Sequence, residues 1–307
     1  MRTQQISTHD AAGTQDLLPW PALMEEIARA ARDIEAGRLC APARQAVPFP
    51  GGAVMLSMPA TAADVGIHKL VNVAPGNRAR GLPTISGMVS VYDGETGQLR
   101  LLLDGPAVTT RRTAAVSMLA VSRLLPGGPR HAVVFGTGTQ AAGHVRALLD
   151  LHPGVRVDVI GHAPGRAERF VSAFDPDRVR PAGRVDPAAD LIVTATTSAT
   201  PVYDQPARAG RLVVGVGAYR DDLAEIGVRT LADSHLFVDD PEGARHEAGD
   251  YLQAGVDWAS VRSLAGLLAD RPPEGAAVFK SVGCAAWDLA AARCALRFDH
   301  VLERNSS

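Results

Sequence analysis

Hydrophobic and polar positions follow one kind of pattern in the first part of the chain and another beyond residue 128. Residues 22–35 carry Leu23, Ile27, Ala31 and Ile34 at three- and four-residue spacing, which predicts an amphipathic helix. Short apolar runs bounded by turn residues predict strands at residues 53–58, 66–73, 89–92 and 99–103. The last two runs flank a five-residue turn, so the first part is predicted to be an α+β region dominated by antiparallel strands.

Strands and helices alternate beyond Pro126-Gly127-Gly128, which ends a predicted helix over residues 113–125. Strands are predicted at residues 132–135, 156–160, 191–195, 212–216 and 236–238, and helices at residues 139–149 and 165–174. This alternation indicates a parallel sheet with helical crossovers. An Ala-rich helix over residues 285–297 follows and is expected to return to the first region.

The first strand of the alternating region leads into a glycine turn. The apolar run 131–135 is followed by Gly136-Thr137-Gly138-Thr139-Gln140-Ala141, a G-x-G-x-x-A sequence that opens a predicted helix. In a dinucleotide-binding unit the first glycine permits a tight turn and the second lets the backbone approach a pyrophosphate, while the small last residue lets helix and strand pack closely. The strand, turn and helix together predict a site for a nicotinamide dinucleotide.

The tip of the second strand bears on which dinucleotide is bound. NAD-specific units carry an acid there that binds the ribose hydroxyls. Here the strand ends in Gly161-His162 without one, and Asp158 alternates with apolar neighbours as a solvated strand residue does. Because His162, Arg166 and Arg169 lie near the tip, we expect NADP(H) to be preferred, with NAD(H) as the alternative.

The amino-acid composition limits the kinds of molecule that this protein is expected to bind. Hydrophobic residues make up 46% and charged residues 21%, which is typical of a globular protein, and the net charge of -2 favours neither nucleic acid nor an anionic membrane. Neither a secretory signal nor a membrane-spanning run is predicted, since Asp10 and Asp16 interrupt the N-terminal segment and no apolar run approaches the required ~18 residues. The three cysteines form no C-x-x-C pair, so a cytoplasmic location and a small-molecule substrate are expected.

Two basic residues are candidates for binding an anionic substrate. Arg112 precedes the helix that leads into the alternating region, and a guanidinium can bind a carboxylate with two parallel hydrogen bonds. Lys69 lies in an otherwise apolar strand, where a buried charge is costly unless it is paired. The nine histidines show no H-x-x-x-H spacing, so no metal site is expected.

A series of short motifs closely resembles the ornithine cyclodeaminase/mu-crystallin family, in order, from about residue 44 to residue 288. The motifs are Lys69-x-Val71, Pro75-x-Asn77, Gly81-Leu82-Pro83-Thr84, Thr96-Gly97, Thr109-x-x-Arg112-Thr113-Ala114-Ala115, Gly136-Thr137-Gly138-x-Gln140-Ala141 and Phe279-Lys280-Ser281-Val282-Gly283. The combination is far more specific than any one of them.

The resemblance implies an α/β protein with a Rossmann-type domain inserted into an α+β domain. Residues 1–112 and 284–307 would form the substrate-binding and dimerisation domain of a homodimer, and residues 113–283 the NAD(P)-binding domain. The residues implied for the substrate are Arg44, Lys69 and Arg112 on its carboxylate and Thr84 beside the reacting centre. Those implied for the dinucleotide are Gly136, Thr137, Gly138, Thr139 and Gln140 at the pyrophosphate, Thr196 nearby, and Ser281 and Val282 beside the nicotinamide.

Departures from the family pattern bear on the reaction. Where cyclodeaminases carry an aspartate after a Gly-Gly, this chain has Tyr219, and Leu56 stands where they carry a glutamate. A phenol with an ordinary pKa of about 10 is a poor base at neutral pH. Asp221 or Asp222 could supply a proton, although capping a helix N-terminus is the role expected of either.

The Gly-Ala-Tyr-x-x-Asp-x-Ala-Glu pattern is more similar to the ketimine reductase branch, with Tyr219 at the substrate. That branch reduces Δ1-pyrroline-2-carboxylate and Δ1-piperideine-2-carboxylate to proline and pipecolate with NAD(P)H. Two alternatives stay open at this point. One is an NAD-dependent ornithine cyclodeaminase, and the other is a mu-crystallin-like protein that binds NADP without turnover.

Overall fold

A computed structural model describes the backbone of residues 6–305 and the side chains of residues 6–299. The described residues form two compact units. Unit 1 contains the residues up to Arg112 and those from Cys284 onward, and unit 2 contains Thr113–Gly283. Among the described residues, no helix has both the length and the apolar character needed to cross a bilayer.

The elements up to the end of unit 1's first segment are β1 (Ser7–His9), α1 (Ala11–Asp16), α2 (Trp20–Glu35), β2 (Leu39–Cys40), β3 (Gln45–Pro48), β4 (Val54–Ala62), β5 (Val65–Val73), a 3-10 helix (Pro75–Arg80), β6 (Ile85–Asp93), β7 (Leu99–Asp104) and α3 (Gly105–Leu124). Those that follow are β8 (His131–Phe135), α4 (Thr139–Leu151), β9 (Arg156–Ile160), α5 (Arg166–Val171), β10 (Val179–Pro181), β11 (Leu191–Thr194), β12 (Leu212–Gly215), α6 (Val228–Leu231), β13 (His235–Val238), α7 (Pro241–Glu247), α8 (Gly249–Ala254), β14 (Arg262–Ser263), α9 (Leu264–Ala269), β15 (Ala277–Lys280) and α10 (Ala285–Asn305).

Unit 1 is built on a seven-stranded sheet in the order β1-β7-β6-β5-β4-β2, with β3 also paired to β4. All pairs are antiparallel except β1 with β7. Alternate residues of β5 are buried, among them Ile67, Lys69 and Val71, because side chains alternate between the faces of a strand. The buried face packs against α10, which also packs against α2, so α10 belongs to unit 1.

Unit 2 is built on an eight-stranded parallel sheet in the order β10-β9-β8-β11-β12-β15-β13-β14. Its central strands β8, β11, β12 and β15 are apolar and wholly buried, as strands covered on both faces require. Strand order reverses between β8 and β11, which is the point where open sheets of this kind bind ligands. The predicted Rossmann-type α/β fold is confirmed.

Helix α3 differs most from its predicted bounds, because it begins at Gly105 and not near residue 113. Asp104 caps the first turn, with its Oδ1 accepting from the amide of Ala107 at 2.7 Å. The hydroxyls of Thr109 and Thr110 turn back onto carbonyls of the same helix. The sequence contains local signals for this start, because aspartate is a favoured N-cap residue and proline is tolerated in the first turn of a helix.

Candidate functional site

Two cationic side chains of unit 1 meet at Asp288, and a third lies close enough to act on one of them. Lys69 donates from Nζ to Asp288 Oδ2 at 2.8 Å, and Arg112 Nε lies 3.3 Å from Asp288 Oδ1. Arg44 is half-buried and its charge acts on Lys69. The structure therefore brings Lys69 of β5 and Arg112 of α3 to one carboxylate of α10, with Arg44, which precedes β3, near Lys69.

The cluster carries an excess of positive charge away from water. Lys69 is 2% exposed, Arg112 6% and Asp288 0%, and three cationic groups face one anion. Burial is the main cause that lowers the pKa of Lys69 to about 8, helped by the positive charges of Arg112 and Arg44 and opposed by Asp288. Another anion in the cluster would relieve this repulsion, so the arrangement favours binding of a carboxylate.

The guanidinium of Arg112 supplies donors for such an anion. Its Nε is buried and makes no hydrogen bond, since the geometry toward Asp288 satisfies only an ion pair. Across the part of the chain that the structure describes, no group accepts a hydrogen bond from this side chain. Because Nε faces Asp288, the terminal NH2 groups of the guanidinium are the donors that a bound carboxylate would accept from.

Thr84 is not brought into this cluster by any described contact. It is exposed, lies just before β6, and its carbonyl accepts from the amide of Ala74 at 2.7 Å. Lys69 pairs with Val89, five positions further along β6. The role of Thr84 beside the reacting centre remains a prediction.

The glycine turn of unit 2 has the geometry that its sequence requires. Gly136 has φ +113°, and a Cβ there would lie 2.5 Å from the carbonyl oxygen of Ala195, at the end of the neighbouring strand. Gly138, in contrast, has nothing within 4 Å of a Cβ. The first glycine is thus required by packing within the fold, and the second leaves open space above the turn.

The helix that follows the turn has donors available for a phosphate. Gly138 is the N-cap of α4 and no side chain caps the helix, so the first helical amides point outward with the positive end of the helix dipole. Gln140, in the first turn of α4, carries a side-chain NH2 group that can also donate. Thr137 is half-buried and Thr139 is exposed. These residues fit a dinucleotide pyrophosphate.

A pocket of about 340 Å³ lies at the carboxyl ends of β9 and β10. Its lining includes the predicted residue His162 together with Glu168, Pro181 and Gly183. His162 and Glu168 are both exposed. The tip of β9 itself carries no acid, but α5 contributes one carboxylate, that of Glu168, to the same pocket.

Ser281 and Val282 are held in place by a buried carboxylate that sequence reasoning missed. Asp239 follows β13 and accepts from Ser281 Oγ at 2.7 Å and from the amides of Val282 and Gly283 at 2.9 Å each. Its own exposure is 3%. Only the pairing of β13 with β15 places Asp239 beside this segment, so no local signal in sequence could have identified it.

Tyr219 is 42% exposed and lies in the turn after β12. The expectation that Asp221 or Asp222 caps a helix is wrong, because the next helix begins at Val228. Asp222 instead pairs with Arg220 at 2.7 and 2.8 Å, which lowers the pKa of Asp222. This carboxylate is held as an anion by its neighbour and is a poor proton donor.

Asp158 also differs from its expected solvated state. It is half-buried and lies 2.8 Å from His131 Nε2, and Asp186 completes a group of three possible metal ligands. Arg156 Nη2 lies 3.1 Å from Asp186 and 2.8 Å from His131 Nδ1. Because a guanidinium already supplies positive charge to this group, an ion-pair network describes it sufficiently.

Asp288 is the other site residue absent from the sequence-based prediction. It lies in the first turn of an Ala-rich helix and is fully buried. An acid among alanines on the buried side of a helix is a signal that it has a cationic partner. The identity of that partner depends on tertiary structure, since Lys69 is 219 positions away.

Comparison with known proteins agrees with these motifs. The profile of the ornithine cyclodeaminase/mu-crystallin family matches residues 5–303. The chain belongs to this family. It is 51% identical over 297 residues, covering 94% of this chain and 95% of the relative, to a Δ1-pyrroline-2-carboxylate/Δ1-piperideine-2-carboxylate reductase from Azospirillum brasilense. It is 32% identical to the ketimine reductase mu-crystallin of Rattus norvegicus over 265 residues, 84% of each chain.

The fold is also similar to that of a solved structure. The structure of Thermococcus litoralis Δ1-pyrroline-2-carboxylate reductase, in complex with NADH and L-proline, superposes with a TM-score of 0.86 at 24% identity and covers 98% of both chains. At this identity the likeness supports the fold and not the choice of substrate.

The buried ion cluster predicts a large effect of removing its one anion. Asp288→Ala should lower the free energy of unfolding by about 3 to 5 kcal/mol, since two buried cations lose their counter-charge. Glu25→Ala is the control, because Glu25 pairs with Arg297 at 3.4 Å on the surface and should change stability by less than about 1 kcal/mol. Chemical denaturation of both variants measures the difference. Equal stability of the two would contradict the buried pairing.

Proposed function

We propose that this protein reduces cyclic 2-carboxy imines, Δ1-pyrroline-2-carboxylate and Δ1-piperideine-2-carboxylate, to L-proline and L-pipecolate with a nicotinamide dinucleotide. The cluster of Lys69 and Arg112 at Asp288, with Arg44 near Lys69, carries the proposal, because it offers an excess of positive charge and the guanidinium donors of Arg112 to a small carboxylate. The names of its relatives support this reading, since the Azospirillum protein is a reductase of both imines.

The residues of unit 1 work mainly by positioning. Arg112 offers a planar pair of donors to the substrate carboxylate, and Lys69 and Arg44 add charge, so that the ring is held in one orientation. Thr84 is proposed to lie beside the C=N carbon, and Tyr219 to contact the substrate ring. Positioning suffices for much of the rate because the imine nitrogen is already basic and needs little help from a protein acid.

The residues of unit 2 bind the dinucleotide, which when bound supplies the hydride. The Gly136 to Gln140 turn holds the pyrophosphate, and Thr196, Ser281 and Val282 approach the nicotinamide half. We propose NADP(H) as the preferred form, since His162, Arg166 and Arg169 lie at or beyond the neutral tip of β9. NAD(H) is the alternative, favoured by Glu168 in the same pocket.

The turn after β12 argues for reduction over deamination. Tyr219 and Leu56 stand where cyclodeaminases carry carboxylates, and Asp222 is tied to Arg220. Loss of ammonia from an amino acid needs a base for the amine protons, whereas reduction of a preformed imine does not. We also propose that the protein works in the cytoplasm, because its three cysteines form no C-x-x-C pair and no even disulfide framework, which is typical of a reducing compartment.

An assay of NADPH oxidation with each imine tests the proposal. The wild-type protein should turn over at least one imine, and Arg112→Ala should lower kcat/KM by about 30-fold or more while keeping dinucleotide affinity, because a lost charge pair costs about 2 kcal/mol or more. Arg111→Ala is the neighbouring control, since Arg111 instead stacks 3.6 Å over Trp20 and donates to the carbonyl of Leu18.

The assay also separates the alternatives. Ammonia release from L-ornithine with catalytic NAD+ and no imine reduction would favour a cyclodeaminase. Tight dinucleotide binding without any turnover would favour a binding protein. Either result would overturn the reductase proposal.

Carboxylate binding should depend on the charge of Lys69. Its pKa of about 8 means that the ammonium is lost as pH rises through that value, so affinity for an anion should fall above pH 8. The Kd of pyrrole-2-carboxylate, a planar analogue that does not titrate between about pH 6 and pH 10, measures this directly. Lys69→Met should bind more weakly at low pH and show no such change. A wild-type Kd that is flat across pH 8 would contradict the role of Lys69.

We further propose a homodimer formed through the outer face of the unit 1 sheet. Val47 and Met88, each 48% exposed, lie on the face opposite Lys69, and the half-buried Met55 and Leu70 lie beside them. Apolar side chains grouped on one face of a sheet are typical of an interface.

Light scattering should therefore give a mass of about twice 32.2 kDa. The double substitution Val47→Asp, Met88→Asp should give the monomer mass, because it would bury charges in the interface. Val228→Asp is the control, since Val228 is 58% exposed in unit 2 and should leave the mass unchanged. A monomeric wild-type protein would exclude this dimer.

A further inference from the structure

Glu225 lies between β12 and α6 and accepts four hydrogen bonds although it is fully buried. Its Oε1 accepts from the amide of Thr196 at 2.6 Å and from Thr196 Oγ1 at 2.8 Å. Its Oε2 accepts from the amides of Gly217 and Ala218 at 2.6 and 3.0 Å. One carboxylate therefore joins the loop after β11 to the loop after β12.

These two loops approach each other more closely than ordinary residues allow. A Cβ on Gly217 would collide with the backbone of Thr196 and lie 2.7 Å from Glu225 Oε1. The loops both leave the carboxyl edge of the parallel sheet, where ligands bind in such folds. Thr196 lies in the loop after β11. In the loop after β12, Tyr219 directly follows Gly217 and Ala218, whose amides donate to Glu225.

Glu225 is itself held by a buried ion pair. Asp250 Oδ1 accepts from the backbone amides of Glu225 and, at 2.8 Å, Ile226. The other oxygen of Asp250 lies 2.6 Å from Nζ of Lys280, the last residue of β15, and both side chains are essentially inaccessible to solvent. The segment that carries Glu225 is thus tied to the strand that leads into Ser281.

The four donors all favour the carboxylate over the neutral acid, because a protonated oxygen could not accept from each of them. Burial raises the pKa of Glu225, while the charge of Lys280 opposes that effect. Nothing in this arrangement leaves Glu225 accessible to a substrate. Its effect on chemistry has to pass through the loops that it joins.

We propose that Glu225 is a positioning residue that fixes the Thr196 loop and the Tyr219 turn for hydride transfer. This inference rests on the proposed reductase function. It extends that function because it explains how the half-buried Thr196 and the exposed Tyr219 are kept in one geometry through the backbone beside them. A displacement of about 1 Å at reacting groups can cost about 100-fold in rate.

The test compares two variants that each lose buried hydrogen bonds in unit 2. Glu225→Gln keeps nearly the same side-chain shape, but the NH2 group of the glutamine donates hydrogen bonds and cannot accept them. This group would therefore lie against two of the four donors that the carboxylate accepts from in the wild type. Tyr251→Phe is the control, because the Tyr251 hydroxyl is buried and donates only toward the carbonyls of Phe237 and Val278, within strands. Thermal unfolding reports the loss of stability in each.

For Glu225→Gln we expect kcat for imine reduction to fall by about tenfold or more while KM for the imine changes less than about threefold. Tyr251→Phe should lose stability but keep kcat within twofold. A kcat for Glu225→Gln within twofold of wild type, or an equal fall in kcat for both variants, would mean a merely structural role and would overturn the inference.

A second readout does not depend on turnover. Hydrogen exchange of the ligand-free protein should show the amides of Thr196, Gly217 and Ala218 protected in wild type and in Tyr251→Phe, but exchanging at least about tenfold faster in Glu225→Gln. Unchanged exchange would overturn the positioning role even if imines are reduced. Faster exchange in a protein that reduces neither imine would instead place the failure in the proposed reaction.

Discussion

The buried carboxylate of Asp288 is the interaction on which unit 1 depends. Lys69 and Arg112 are inside the protein, and burying either charge without an anion within reach would be strongly destabilising. That anion comes from α10, so the chain has to return to unit 1, whose first segment ends at Arg112. Helix α10 also carries Arg293, which forms ion pairs with Asp33 and Asp64. Here one cation of α10 is paired with two anions, whereas Asp288 is one anion paired with two cations.

Unit 2 uses buried carboxylates for a different purpose. A parallel sheet ends in a row of loops whose backbone amides need acceptors. Asp239 satisfies the loop after β15, and Glu225 satisfies those after β11 and β12. The loops at the ligand-binding edge therefore take their shape from side chains beneath them. The glycine turn is the exception, since Gly136 and Gly138 adopt their conformation without a carboxylate.

Local sequence signals identified most of the regular structure and the cofactor turn. The alternation of apolar and polar side chains in residues 66–73 and the apolar run before Gly136 involve only residues that are close together in the sequence, so both can be recognised without the structure. Helix α3 was predicted to begin too late, because the predicted start followed the Ala- and Leu-rich run from residue 113 and did not use the N-cap residue Asp104. The short helices α7 to α9 were not predicted, since each is six or seven residues long and stabilised by packing.

The sequence alone determined the family, the two classes of architecture, the glycine turn and the basic residues Arg44, Lys69 and Arg112. Motif spacing and hydrophobic periodicity depend on residues that are close together in the sequence, so both can be recognised from the sequence alone. Only the tertiary structure decided that Asp288 pairs with Lys69 and Arg112 and that Glu225 joins the loops of Thr196 and Gly217. The physical reason is that a buried charge takes its partner from whichever segment packs against it, and strand order and helix packing, not distance along the chain, select that segment.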